Sequence, residues 1–308
     1  GVNYKRSYSF YEDGEVGRYE LTSRLGDENN VVESLNASRR FNKSQSKDNV
    51  LFGTLASINY QHSSISKFKL NYIHNHSGTN RVSNSFGFDD AEASSVFRVQ
   101  ELDYVQRSID NIQLTGEQKF HTGKKNTSTR ASEQVQFKSG EHKLDWIVSA
   151  VFANQTQPDY RVFSDELRDI NGTITPEINP TNYSLPFRFY RYMKETNYDG
   201  KVNYKINMKE TDSTHLNYKF GLSANIKDRR FEEYRYNYDE YAGAPSYNGN
   251  PDDYVAVDNI GTTSDGNPGL LLFETSAARN RYDGFRSVAG AYGMADFNIG
   301  KKLDVVGG

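Results

Sequence analysis

The sequence predicts an all-β protein: an antiparallel up-and-down sheet of the transmembrane β-barrel type. Three observations carry that expectation. Long arms alternate polar and apolar residues, short polar turns alternate along the chain with long connections, and a rich aromatic content accompanies a low hydropathy.

The clearest arms lie in residues 187–228. On the first, Tyr198, Val202, Tyr204 and Ile206 share one face with Gly200, and Asn197, Asp199, Lys201, Asn203 and Lys205 share the other. On the return, Leu216, Tyr218, Phe220, Leu222, Ala224 and Ile226 oppose His215, Asn217, Lys219, Gly221, Ser223 and Asn225. Globular strands are usually about five or six residues long, whereas a tilted membrane strand needs roughly nine to eleven. These arms are long enough to cross. A soluble sandwich, with its apolar face on a second sheet and its charged face in water, has the same alternation, so length and repetition have to decide.

Composition leans the same way. Of 308 residues only 35% are hydrophobic, mean hydropathy is −0.81, and 22 Tyr with 18 Phe raise the aromatic share to 13%. A polar lumen, wet loops and aromatic girdles produce that mixture in outer-membrane barrels. No apolar run is long enough for a transmembrane helix, so a membrane assignment rests on strands. The absence of Cys excludes disulfides and thiolate metal sites, and a net charge of −3 offers no basic field for nucleic acid. Both chain ends have a strand-like pattern, and we expect an internal piece of a larger protein.

In chain order, residues 2–11 and 17–24 are expected as two strands around a turn at Asp13-Gly14. Residues 25–48 are expected as a polar loop with at most a strand at 31–36. Alternation at 50–61 and 67–72 predicts a hairpin with a tight turn at 62–66. After a polar loop at 77–96, residues 97–120 form one strand too long for any membrane crossing, so its first half is expected outside the bilayer. Residues 121–142 are ambiguous, and 143–153 restore the alternation, with Trp146 near a strand start as an interface anchor. Long connections are expected at 154–186 and 229–285, against short turns at 62–66 and 207–213. That asymmetry favours an outer-membrane barrel of roughly ten strands over the sandwich.

Several segments, in order, resemble a known family: YSFYEDGEVGRYEL, RSIDNIQLTGEQKF, HKLDW with QPDYR, the arms RFYRYMKETNYDGKVNY and YKFGLSANIKDRRFEEYRYNY, and AYGMADFNIGKKLDVVGG. Together they resemble the barrel of TonB-dependent outer-membrane receptors of the Bacteroidetes type. The resemblance implies a 22-stranded barrel filled by an N-terminal plug, a TonB box, and surface capture of a ligand followed by TonB-coupled import. It implies the outer membrane of a Gram-negative bacterium as location. Its implied partners are outer-membrane lipid, the plug domain of the parent chain, the TonB–ExbB–ExbD system, a surface lipoprotein, and a small-molecule, glycan or peptide ligand. Plug and box are not in this sequence and about half the strands are, so the chain is expected to be part of one barrel domain.

The candidate chemistry is binding. Tyrosines combine a stiff contact surface with a polar tip, and those at 232–254 single out Tyr236, Tyr238, Tyr241 and Tyr247 as expected ligand contacts. His74 and His76 share a strand face but lack an evident third metal ligand. Asp165, Glu166, Asp169, Asp252, Asp253, Asp258 and Asp265 do not follow an EF-hand spacing and are expected as solvated loop residues. The run at 269–273 is the one markedly apolar stretch in an expected loop and has to bury against something. No nucleophile motif is present, and neither His142 nor His215 can be paired with a Ser, so neither catalysis nor a cofactor is expected.

Overall fold

A computed structural model describes residues 1–23, 33–89, 96–121, 140–178, 186–210, 214–262, 264, 269–299 and 303–308. It is all-β. The strands are β1 (Val2–Ser23), β2 (Glu33–Ser63), β3 (Ser66–Asp89), β4 (Val96–His121), β5 (Glu141–Ile170), β6 (Thr173–Glu177), β7 (Phe187–Glu210), β8 (Thr214–Glu240), β9 (Leu270–Glu274), β10 (Arg281–Ile299) and β11 (Leu303–Gly307). One α-helical turn, α1 (Pro251–Tyr254), and a 3-10 turn (Val257–Asn259) interrupt the connection between β8 and β9. The strands form a single antiparallel up-and-down sheet in the order β1-β2-β3-β4-β5-β7-β8-β10-β11, with β6 added to β5 and β9 to β8. The sheet is open: β1 and β11 each pair with one neighbour.

Directly paired residues of antiparallel neighbours share a face, so the register traces rows across the sheet. One row runs Ile58, Leu70, Leu114, Val148, Gly200, Ala224, Ala289. The next runs Tyr60, Phe68, Gly116, Trp146, Val202, Leu222, Ala291. On β7 and β8 five successive rows are apolar or aromatic apart from Gly200, from Tyr198 with Ile226 to Ile206 with Tyr218. They cover residues 198–206 and 218–226, nine residues on each strand. Among the described residues nothing covers the band, and Ile58 and Leu222 are each 64% exposed. Above it the same face turns polar, with Thr54, His74, Asp110, Thr196 and Asp228 sharing a row with Phe152 and Phe285.

The opposite face is polar beside the band and knitted together. Ser57 donates to Asn71 (2.9 Å) and Asn71 to Gln113 (3.1 Å), Asn225 donates to Asn197 (2.7 Å) and Asp199 (2.6 Å), and Lys143 bridges Glu117 (3.2 Å) and Asp145 (3.1 Å).

The strands run well beyond the sequence-based boundaries. Asp13-Gly14 is a bulge inside β1 and not a reverse turn: Asp13 takes φ 56°, the register shifts between Tyr11 and Gly14, and both halves keep β2 as partner. Residues 33–48, expected mostly as loop, and 77–89, expected wholly as loop, belong to β2 and β3. The expected long loops shrink likewise, because 154–170 continue β5 and 229–240 continue β8. These extensions carry polar residues on both faces, with apolar ones such as Phe41, Phe86, Val162 and Phe163 scattered among them, so the period of two is weak, but each lies between long neighbours that satisfy its backbone. β5 and β6 close through Asn171-Gly172, both at positive φ (56° and 83°), as a two-residue hairpin turn demands. The ambiguous stretch falls largely on 122–139, outside the described residues, and β5 begins at Glu141.

Candidate ligand site

Both faces of the sheet build structure above the apolar band. A β5 bulge around Pro158 and Asp159 decides which side chain goes where: the register slips between Gln157 and Tyr160 against β7, and between Leu102 and Gln106 against β4. Proline cannot donate to a ladder and is at home in such a bulge. Beyond it the parity of β5 is inverted, so Arg161, Phe163 and Asp165 stand on the band's face and Tyr160 and Val162 on the polar one.

On the polar face, Phe41, Phe97, Val99 and Val162 bury together, with Tyr160 and Phe187 against them. Gly87, between Phe41 and Phe97 in the register, allows this closeness, since a Cβ there would meet the Arg40 carbonyl at 2.0 Å. Below that cap runs a belt of charges. Glu101 accepts from Lys43 (3.1 Å), Ser83 (2.6 Å) and Tyr160 (3.3 Å). Asp103 accepts from Arg81 (2.8 Å) and Gln157 (2.5 Å); Arg191 then links Gln157 (3.3 Å) to Glu233, which also accepts from Asn280 (2.6 Å). Arg191 lies over Phe189 and Arg235 over Phe187, each 4.2 Å from the ring centroid. Burial pushes the Glu101 carboxyl up, but its bonds to Ser83 and Lys43 outweigh that and hold it below the usual value. The Tyr160 hydroxyl, buried beside Glu101, is pushed up to about 12 and stays a donor.

On the band's face, the connection from β8 to β9 folds back onto the sheet. The rings of Tyr247, Phe163 and Tyr254 pack mutually at 5.4 to 6.1 Å, and Leu270 is buried beside them. Arg98 is the clamp: it grips Asp165 (3.0 and 2.5 Å), the Tyr247 hydroxyl (3.1 Å) and the Gly249 carbonyl (2.9 Å). Asp165 has no exposed side-chain surface, so its charge has to be paired here. Lower on this face Tyr190, Tyr192, Tyr234 and Tyr236 form a groove of about 500 Å³ with Arg188 and Leu272.

The four expected contact tyrosines are therefore divided. Tyr236 lines the groove with its ring against Tyr190, Tyr238 is buried and accepts from Arg188 (3.3 Å), Tyr247 fastens the folded-back segment, and Tyr241 is exposed. The apolar run at 269–273 buries only in part: Leu270 and Leu271 do, while Leu272 and Phe273 stay exposed. Among the acids, Asp165 and Glu166 are buried and ion-paired, which corrects their assignment as solvated residues. Asp169 caps Gly172, Asp252, Asp253 and Asp258 are exposed, and Asp265 lies outside the described residues. His74 and His76 do share a face, but His74 pairs with Asp110 (2.8 Å) and His76 with Gln106 (3.1 Å). Among the described residues no group of three potential ligands is placed to hold a metal. The belt residues escaped sequence reasoning because a polar side chain inside a strand carries no hydrophobic signal, even where, as at Glu101 and Arg191, the strand itself was expected.

No family model, curated protein or solved structure matches this chain.

Proposed function

We propose that the chain is the wall of an outer-membrane β-barrel receptor, with the apolar band against lipid and the polar face toward the lumen. The nine-residue height of the band carries the proposal. About nine to eleven tilted residues cross a hydrocarbon core, and in water so large an apolar surface would be a liability. Hydrogen bonds across the opposite face suit a wet lumen. Tyr198 and Tyr72 at the top row, and Tyr204, Phe120 and Tyr218 toward the bottom, stand where aromatic girdles belong.

In this reading the belt from Lys43 to Glu233 meets a ligand entering the lumen, offering both charge signs and aromatic faces. Tyr236 and Tyr241 offer contacts on the outside, with Tyr238 and Tyr247 holding the segment that presents them. The sequence resemblance extends the reading to capture at the cell surface and TonB-coupled import. Import through the intact receptor should cease when the inner-membrane proton gradient is collapsed, while surface binding persists.

Trp146 tests the membrane placement, because it is the single tryptophan and sits in the middle row of the band, not at its edge as expected of an interface anchor. Folded into vesicles, it should be quenched best by lipids brominated deep in the acyl chain. Quenching by aqueous acrylamide as strong as for free tryptophan would overturn the reading.

A further inference from the structure

A cavity of about 220 Å³ lies between α1 and the sheet, distinct from the belt and above the band. Phe163, Tyr238, Pro251 and Val255 give it apolar walls, and its charged lining groups are Arg161, Arg188 and Asp252. A dry cavity of about 150 Å³ holds benzene, so this one accommodates a single ring with short polar arms.

Its charges are arranged unequally. Arg161 reaches Asp159 through Nε (2.7 Å) and Nη2 (2.6 Å), and Arg188 reaches the same carboxylate through Nε (2.9 Å) and Nη2 (2.8 Å). One carboxylate thus faces two guanidiniums, and one positive charge is left over. Both arginines hold the Asp159 carboxyl below its usual value against the opposing effect of burial, so it stays ionised at neutral pH. Asp252, contributed by α1, has no ion-pair partner among the described residues, although it lines the same cavity. The cavity therefore combines an uncompensated cation on the sheet, a free carboxylate on the folded-back segment, and apolar walls.

We propose that this cavity binds a zwitterionic amino acid with an apolar ring, its carboxylate toward Arg161 and its ammonium toward Asp252. The site does not depend on the membrane reading, since it is built from the sheet and its own connection. Arg188 holds both Asp159 oxygens and is also tied to Tyr238, whereas Arg161 holds one Asp159 oxygen only and is the group that can turn toward a ligand carboxylate.

Calorimetric titration of the full chain in detergent tests this with three probes: L-phenylalanine, 3-phenylpropionate, which lacks the ammonium, and phenethylamine, which lacks the carboxylate. L-Phenylalanine should bind saturably at one site, and each truncated probe about tenfold more weakly, as expected for one lost charge-assisted bond. Arg161→Gln should weaken phenylalanine and 3-phenylpropionate and spare phenethylamine. Asp252→Asn, on an exposed residue, should do the reverse. No saturable binding of L-phenylalanine by a chain with an intact circular-dichroism spectrum would overturn the proposal. So would truncated probes that bind as well as phenylalanine, or variants that weaken all three probes alike.

Discussion

The indole of Trp146 lies over Gly116, its partner on the neighbouring strand, so closely that a Cβ on the glycine would fall 2.3 Å from the ring. Covering a strand glycine with a cross-strand aromatic restores the contact surface that the glycine lacks. Gly116→Ala should displace the ring at a cost of about 1 to 3 kcal/mol, the usual penalty for overpacking. Fluorescence of the single tryptophan reports it directly: a shifted emission maximum and a lower unfolding midpoint are expected, and an unchanged spectrum would show that the ring does not rest there.

The two faces should respond differently to charge. Leu222 and Val202 form the middle row of the band, with Phe220 and Tyr204 one row away. Arg substitution costs about 2 to 4 kcal/mol at a bilayer midplane and falls toward the interfaces. Leu222→Arg should therefore destabilise most, Phe220→Arg and Tyr204→Arg somewhat less, and Lys219→Gln or Lys205→Gln little. Folding titrations in vesicles would rank the five, and equal penalties on both faces would contradict a lipid-facing band.

Arg98 should control the folded-back segment. Arg98→Ala leaves the buried Asp165 without its opposite charge and with only the Tyr247 hydroxyl as donor, a change worth about 3 to 5 kcal/mol locally. Tyr247→Phe removes a hydroxyl that touches both and should cost about 1 kcal/mol. Limited proteolysis should cut Arg98→Ala within residues 241–262, cut Tyr247→Phe far less, and find Arg98→Ala partly rescued by Asp165→Asn.

Acid should loosen the upper sheet. Glu101 and Asp159 both have depressed pKa values in the folded chain. Above their ordinary values of 4.5 and 3.8 both are ionised in the folded and the unfolded chain, and their stabilisation is complete. As pH falls, the unfolded chain takes up protons first and that stabilisation drains away until the folded values are passed. Urea midpoints should stay level from pH 8 to about 5 and fall below it; a midpoint rising between pH 5 and 3 would be the wrong sign.

The band was legible in the sequence because lipid or a core imposes a period of two, and Tyr198, Val202, Tyr204 and Ile206 display it. The extended strands were not. Residues such as Asp48, Asn49 and Thr79 pair through Arg6 and one another (Arg6 to Asp48 2.8 Å, Thr79 to Asn49 2.9 Å) and carry no hydrophobic signal. The site was harder still. Tyrosine density pointed to the right segment, but separating contact from fastening required Arg98, about 150 residues upstream of Tyr247 (149 in sequence). The parity switch at Pro158, which sends Phe163 and Asp165 to the band's face, becomes visible only in the pairing register.

A lipid crossing by nine residues each of β7 and β8 is directly measurable, because the sequence has no native cysteine. Single cysteines at successive positions from 190 to 206 of β7, spin-labelled in vesicles, would be scored for collisions with oxygen, which prefers the bilayer, and with an aqueous nickel chelate. Oxygen collisions should peak at 202, stay high at 198, 200, 204 and 206, and give way to nickel at 192 and 194, with 199, 201, 203 and 205 out of phase. Nickel access that is uniform along both faces would contradict the account.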